Sequence, residues 1–118
     1  MKYGAIDIGT NAARLLIGEV VHDAERSFVK KISYTRIPLR LGDDVFSLGR
    51  VDVKKKLNLI NTMKAFEIIT DIFEVNHLQA FATSAMREAE NASQIVTDIK
   101  SATGIDLKII SGAEEANV

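Results

Sequence analysis

Three short stretches of this chain combine residue types able to handle a charged substrate. The first is Asp7-Ile8-Gly9-Thr10-Asn11, which interrupts two apolar runs. Gly9 permits a tight turn, and Gly9, Thr10 and Asn11 can present backbone N–H groups to a phosphate while their side chains add donors. Asp7 beside them can hold a divalent cation such as Mg²⁺, directly or through water. The same residues also suit a plain β-hairpin, with Asp and Asn satisfying the turn.

The second stretch is Phe81-Ala82-Thr83-Ser84-Ala85-Met86-Arg87. An apolar run ending at Ala82 and followed by Thr83, Ser84 and Arg87 places two hydroxyls, backbone N–H groups and a guanidinium at one helix start, which attracts anions. A capped helix with a solvated Arg is the structural alternative. The third is Ile110-Ser111-Gly112-Ala113-Glu114-Glu115. Glu114 stands at capping-box spacing from Ser111, which leaves Glu115 available as a base on water. Both glutamates are equally at home in the first turn of an ordinary helix.

These stretches need elements to position them. Tyr3 to Ile8, Ala13 to Val21 and Phe28 to Ile37 are β-rich runs parted by turn signals, and they read as an antiparallel meander ended by Pro38. Leu39 to Arg50, rich in Gly and Asp, reads as a loop with a strand turn. Val53, Leu57, Ile60, Met63, Phe66, Ile69 and Phe73 recur at three- and four-residue steps, the stripe of a long helix opened by Asp52 as N-cap. Leu78 to Ala82 is a fourth strand. Ser84 caps a short helical turn through Arg87 to Ala89. Asn91 caps a second helix, with Ile95, Ile99 and Ala102 on one face and Gly104 at its end. Leu107 to Ile110 is a fifth strand, and Ser111 opens a further helix.

The predicted order is β-β-β-α-β-α-β, an α/β chain with a mixed five-stranded sheet and helices on its faces, in the topology of the ribonuclease H-like fold. The three candidate corners then follow strands one, four and five of one sheet, whose carboxyl ends lie together. A turn of donors with an Asp, an Arg at one helix start and a Glu at another suit phosphoryl transfer to water, which depends on positioning and charge neutralisation.

Composition agrees with a folded domain. The chain has 118 residues, 47% of them apolar and 26% charged, at a net charge of −1. That balance gives no global attraction to nucleic acid or anionic lipid. Cysteine is absent, which removes disulfides, thiolate metal sites and a thiol nucleophile. No secretory leader and no run of bilayer-spanning length is visible, so the expected setting is cytoplasmic. His22 and His77 lie in polar turns without convergent partners, and Lys54 to Lys56 read as a solvated helix face.

The stretches Ala5 to Ile17, Phe81 to Ala92 and Ile109 to Ala116 resemble, in order and separation, the N-terminal domain of the exopolyphosphatase and guanosine pentaphosphate phosphohydrolase family. That family belongs to the sugar kinase, heat-shock chaperone and actin superfamily, whose two ribonuclease H-like domains enclose a phosphate-binding cleft. The resemblance implies that Asp7 helps hold Mg²⁺ or its waters, and that Gly9, Thr10 and Asn11 form the first phosphate loop. It implies that Thr83, Ser84 and Arg87 contact the phosphate chain and that Glu115 activates the attacking water. The implied substrates are polyphosphate or guanosine pentaphosphate. Where the family usually has Asp-x-Gly-Ser-Asn-Ser, this chain has Thr10, which keeps a hydroxyl, and Ala12, which loses one.

The family's second phosphate loop, Asp-x-Gly-Gly-Gly-Ser, is not in the sequence. Residues 1–118 are therefore expected to be the N-terminal domain of a longer two-domain phosphatase, inactive by itself and inclined to self-associate as a homodimer through apolar surface that the second domain covers. A non-catalytic ATP-binding or assembly module of the same superfamily is the main alternative. A ribonuclease H-type nuclease fares worse, because it wants several carboxylates around paired metals and Asp7 has only Glu115 as an acidic companion.

Overall fold

The computed structural model of the chain describes residues 1–111. The expected helix opening at Ser111, with Glu114 and Glu115, lies outside the described residues.

Three strands open the chain: β1 (Lys2–Ile8), β2 (Ala13–His22) and β3 (Ser27–Ile37). They form the expected meander, β1 and β2 antiparallel with Ile8 opposite Ala13, and β2 and β3 antiparallel with Ala13 opposite Ile37. The chain continues through α1 (Leu41–Leu48), α2 (Val53–Ile72), β4 (His77–Ala82), α3 (Ser84–Glu88), α4 (Ala92–Thr103) and β5 (Leu107–Ile109). The five strands make one sheet in the order β3-β2-β1-β4-β5, with β4 parallel to β1 and β5 parallel to β4. This is the ribonuclease H-like arrangement read from the sequence.

The sheet's two faces differ because the side chains alternate. Ile6, Ile8, Ala13, Leu15 and Ile17 are buried in one core with Leu59, Met63 and Phe66 of α2 and Ile95 and Ile99 of α4. Tyr3, Leu16 and Tyr34 lie on the opposite face and are exposed. The described helices therefore flank the sheet on this buried face. No described helix is long and apolar enough to cross a membrane.

Several local expectations are corrected. The segment read as a loop, Leu39 to Arg50, holds α1. Its Leu41 and Val45 are buried four residues apart, Asp43 and Asp44 sit in the first turn where the helix dipole favours them, and Gly49 ends it with φ 76°. In α2 the buried stripe is Leu59, Thr62, Met63, Phe66 and Thr70, while Val53 and Leu57 are exposed. Thr62 and Thr70 are tolerated inside because each hydroxyl donates to a carbonyl of its own helix, Asn58 at 2.8 Å and Glu67 at 2.7 Å. Ala102 of α4 is exposed.

Asp52 and Asn91 occupy N-cap positions, but neither side chain makes a capping bond. Asn91 is used across the fold instead: its amide accepts from the Val51 N–H at 3.0 Å and donates to the Val51 carbonyl at 2.9 Å. That pairing satisfies both backbone groups of Val51, the buried residue of the α1–α2 connection. Lys55 and Lys56 are not a freely solvated face. Lys55 Nζ lies 3.1 Å from Asp44 Oδ1, and Lys56 pairs with Asp98, which ties α2 to α4.

Candidate active site

Parallel pairing fixes where the first two corners meet. Ile8 stands opposite Ala82 in the β1–β4 ladder, and Ala82 opposite Ile109 in the β4–β5 ladder, so all three strands end at one edge of the sheet. The ladder continues past the strands: the Thr83 N–H donates to the Ile8 carbonyl at 3.1 Å and the Ile110 N–H to the Ala82 carbonyl at 3.0 Å. Residues 9–12, 83–84 and 110–111 therefore begin side by side.

The first loop is tight. Gly9 N–H donates to the Ala12 carbonyl at 2.9 Å. The carbonyls of Thr10 and Asn11 are turned toward α1, accepting from Gly42 N–H at 3.0 Å and Arg40 N–H at 2.9 Å. The N–H groups of Thr10, Asn11 and Ala12 donate to no backbone carbonyl among the described residues. Backbone amides left without such partners are available to cradle an anion. The helix α1 that sequence reading missed is thus what holds this loop. Its approach requires glycine, because a Cβ on Gly42 would stand 2.3 Å from Thr10 Cγ2.

The second corner closes on the first. Ser84 is the first residue of α3 and Thr83 holds the N-cap position without a side-chain capping bond, so Ser84 does not cap this helix. The Ser84 hydroxyl is hydrogen-bonded to the Thr10 hydroxyl at 2.6 Å. A polar cavity of about 280 Å³ results, and its walls include Asp7, Gly9, Thr10, Asn11, Thr83 and Ser84. Six of the sequence-derived site residues are thereby brought together. Ala12 lines the same cavity, so the hydroxyl lost there is lost from its wall.

Two wall residues were missed by sequence reasoning: Arg14 and Arg36. The signal lies in the strand alternation once the register is known. With Ile8 opposite Ala13, Arg14 falls opposite Asp7 and on the same face, and Arg36 falls opposite Arg14. Arg14 Nη2 donates to Asp7 Oδ2. That bond, with the attraction of the carboxylate, holds the Arg14 pKa above the ordinary guanidinium value, and the Tyr34 hydroxyl adds a smaller contribution.

Arg87 does not line this cavity. Its Nη1 donates to the Ile110 carbonyl at 2.7 Å, next to the third corner. Glu115 lies outside the described residues. As for Mg²⁺, no cluster of three or more acidic or His ligands exists among the described residues. One carboxylate with nearby hydroxyls nevertheless suits this ion, which keeps most of its waters and shares phosphate oxygens.

A β3-β2-β1-β4-β5 sheet with a polar cavity at the carboxyl ends of β1 and β4 defines a ribonuclease H-like domain of the actin-like superfamily. The chain belongs to the Ppx/GppA phosphatase family, whose sequence profile matches residues 20–118. It is 33% identical to Exopolyphosphatase 1 of Mycobacterium tuberculosis across 100% of this chain and 33% of that protein. It is 27% identical to the guanosine-5'-triphosphate,3'-diphosphate pyrophosphatase of Aeromonas hydrophila across 97% of this chain and 22% of that protein. Among solved structures, an exopolyphosphatase from Cytophaga hutchinsonii superimposes with a TM-score of 0.90 at 31% identity, covering 99% of this chain and 36% of that one. The chain spans about a third of the length of the first curated relatives it matches.

Proposed function

We propose that the protein carrying this chain hydrolyses terminal phosphoanhydride bonds of inorganic polyphosphate or guanosine pentaphosphate, and that residues 1–118 form its phosphate-holding N-terminal domain. The observation that carries this reading is the convergence of Asp7, the Gly9–Asn11 loop, Thr83 and Ser84 on one polar cavity, in a member of a phosphatase family. The names of the relatives supply the two substrate candidates.

In this reading the loop amides and the Thr10, Thr83 and Ser84 hydroxyls hold the terminal phosphates, and Arg14 adds a fixed positive charge beside them. Arg87 braces the end of β5 and contacts the chain of phosphates nearby. Glu115 takes a proton from water as the water oxygen bonds to the terminal phosphorus. The bond from that phosphorus to its bridging oxygen breaks, which releases orthophosphate and a chain shortened by one unit. Asp7 would hold Mg²⁺, whose contribution is to neutralise phosphate charge. A second domain would supply the opposite wall of the cleft, and the enzyme would work in the cytoplasm.

The test is release of orthophosphate from long-chain polyphosphate and from guanosine pentaphosphate by the full-length protein with Mg²⁺, beside Glu115→Ala. Turnover of either substrate, lost in the variant, is the expected result. Equal rates would remove Glu115 as the base, and nucleotide-dependent assembly without phosphate release would favour a binding module instead.

A further inference from the structure

One row of side chains crosses the sheet at the cavity. Arg36 on β3, Arg14 on β2 and Asp7 on β1 are direct cross-strand partners, so all three project from the same face. Strands are spaced about 4.8 Å apart, so the row carries the site roughly 10 Å from Asp7 toward the outer strand β3. Arg14 is paired with Asp7. Arg36 is exposed, lines the cavity, and makes no ion pair or hydrogen bond among the described residues.

Two guanidinium groups set directly opposite one another repel, and a single Asp cannot satisfy both. An arrangement of this kind is made favourable by an anion lying across it. The two arginines border the same cavity as Thr10 and Ser84, so an extended chain with regularly repeated negative charge can reach from that corner to the row, which a compact anion cannot. Arginine suits the contact because its planar donors engage phosphate oxygens in pairs.

We infer that Arg36 is a specificity-determining residue for chain length: it binds the phosphate chain beyond the terminal units and favours long polyphosphate over short. The inference rests on the proposed phosphate reading of the cavity. It assigns Arg36 an affinity role, so its loss raises KM more than it lowers kcat on saturating substrate.

The experiment measures binding of long-chain polyphosphate and of triphosphate to the full-length protein, wild type, Arg36→Gln and Arg36→Lys, at several KCl concentrations. Arg36→Gln is expected to weaken long chains about tenfold, to lower the slope of log affinity against log salt by about one, and to weaken triphosphate far less. Arg36→Lys restores part of the loss by keeping the charge. An unchanged affinity for long chains, or an equal loss for triphosphate, would overturn the assignment. A wild-type protein that binds neither anion overturns the phosphate reading itself, a different result from a wild type that binds both while Arg36→Gln does not discriminate. Thermal unfolding of each variant checks that this exposed substitution leaves the fold intact.

Discussion

The hydroxyl oxygens of Thr10 and Ser84 lie 2.6 Å apart, although 74 positions separate the residues in the chain. Both hydroxyls have rotatable protons, so either can donate, and an arriving phosphate oxygen can be met by whichever proton the pair does not use. The bond therefore joins the β1–β2 turn to the start of α3.

Ser84→Ala tests that coupling. Removing one partner of a half-buried bond should cost about 1 kcal/mol of stability, read as a lower denaturant midpoint. The larger effect is expected on KM for polyphosphate, several-fold upward, because the loop loses its brace and the cavity a donor. In a double-mutant cycle, Thr10→Ala and Ser84→Ala should be less than additive. Full additivity in both stability and KM would show that the hydrogen bond carries no coupling.

Gly42→Ala probes the same loop from behind. The new Cβ would stand 2.3 Å from Thr10 Cγ2 and 3.1 Å from Phe46 Cε2. Overpacking of this kind costs about 1–3 kcal/mol. Thr10→Ser deletes the methyl that is struck and keeps the hydroxyl facing Ser84. The double variant Gly42→Ala/Thr10→Ser should therefore recover part of the lost melting temperature, the remainder reflecting the Phe46 contact. No recovery would mean that α1 shifts as a body and does not press on the loop.

The strands were legible because alternation and turn residues are local: Ile6 and Ile8 against Asp7, and Gly9 to Asn11 between two runs, already specify a hairpin and its faces. Gly104 likewise ends α4 in the left-handed conformation that its place in the sequence suggested. What escaped was tertiary. Gly42, Asp43 and Asp44 look like loop chemistry, and the reason for a glycine there is a contact with Thr10, invisible to any local pattern. Thr62 and Thr70 hid the true buried face of α2, because polar letters pass as solvent-facing until their hydroxyls are seen bonded within the helix. Arg14 and Arg36 were readable only after the register was known, since their relation to Asp7 runs across strands and not along them. Conversely, Asp7, Thr10 and Ser84 were singled out from residue type and place after a strand, although a plain turn or cap would use the same residues, and the fold brings all three to one cavity.

The acid limb of stability should carry the signature of Asp98. Its bond from Lys56, then that from Gln94, holds the carboxyl below its ordinary value. A carboxyl lowered in the folded state contributes stability that is present above the unfolded-state pKa, about 3.9, and is lost as pH falls through the lower folded value. Wild type and Asp98→Asn should thus differ most in melting temperature near neutrality, and the gap should close as pH falls below the range of the free carboxyl. Lys56→Met should reproduce the effect, since it removes the same pair from the other side. The measurement is thermal unfolding of the three proteins from pH 7 down to acid. A gap that stays constant across that range would assign the loss to α2–α4 packing instead of the ion pair.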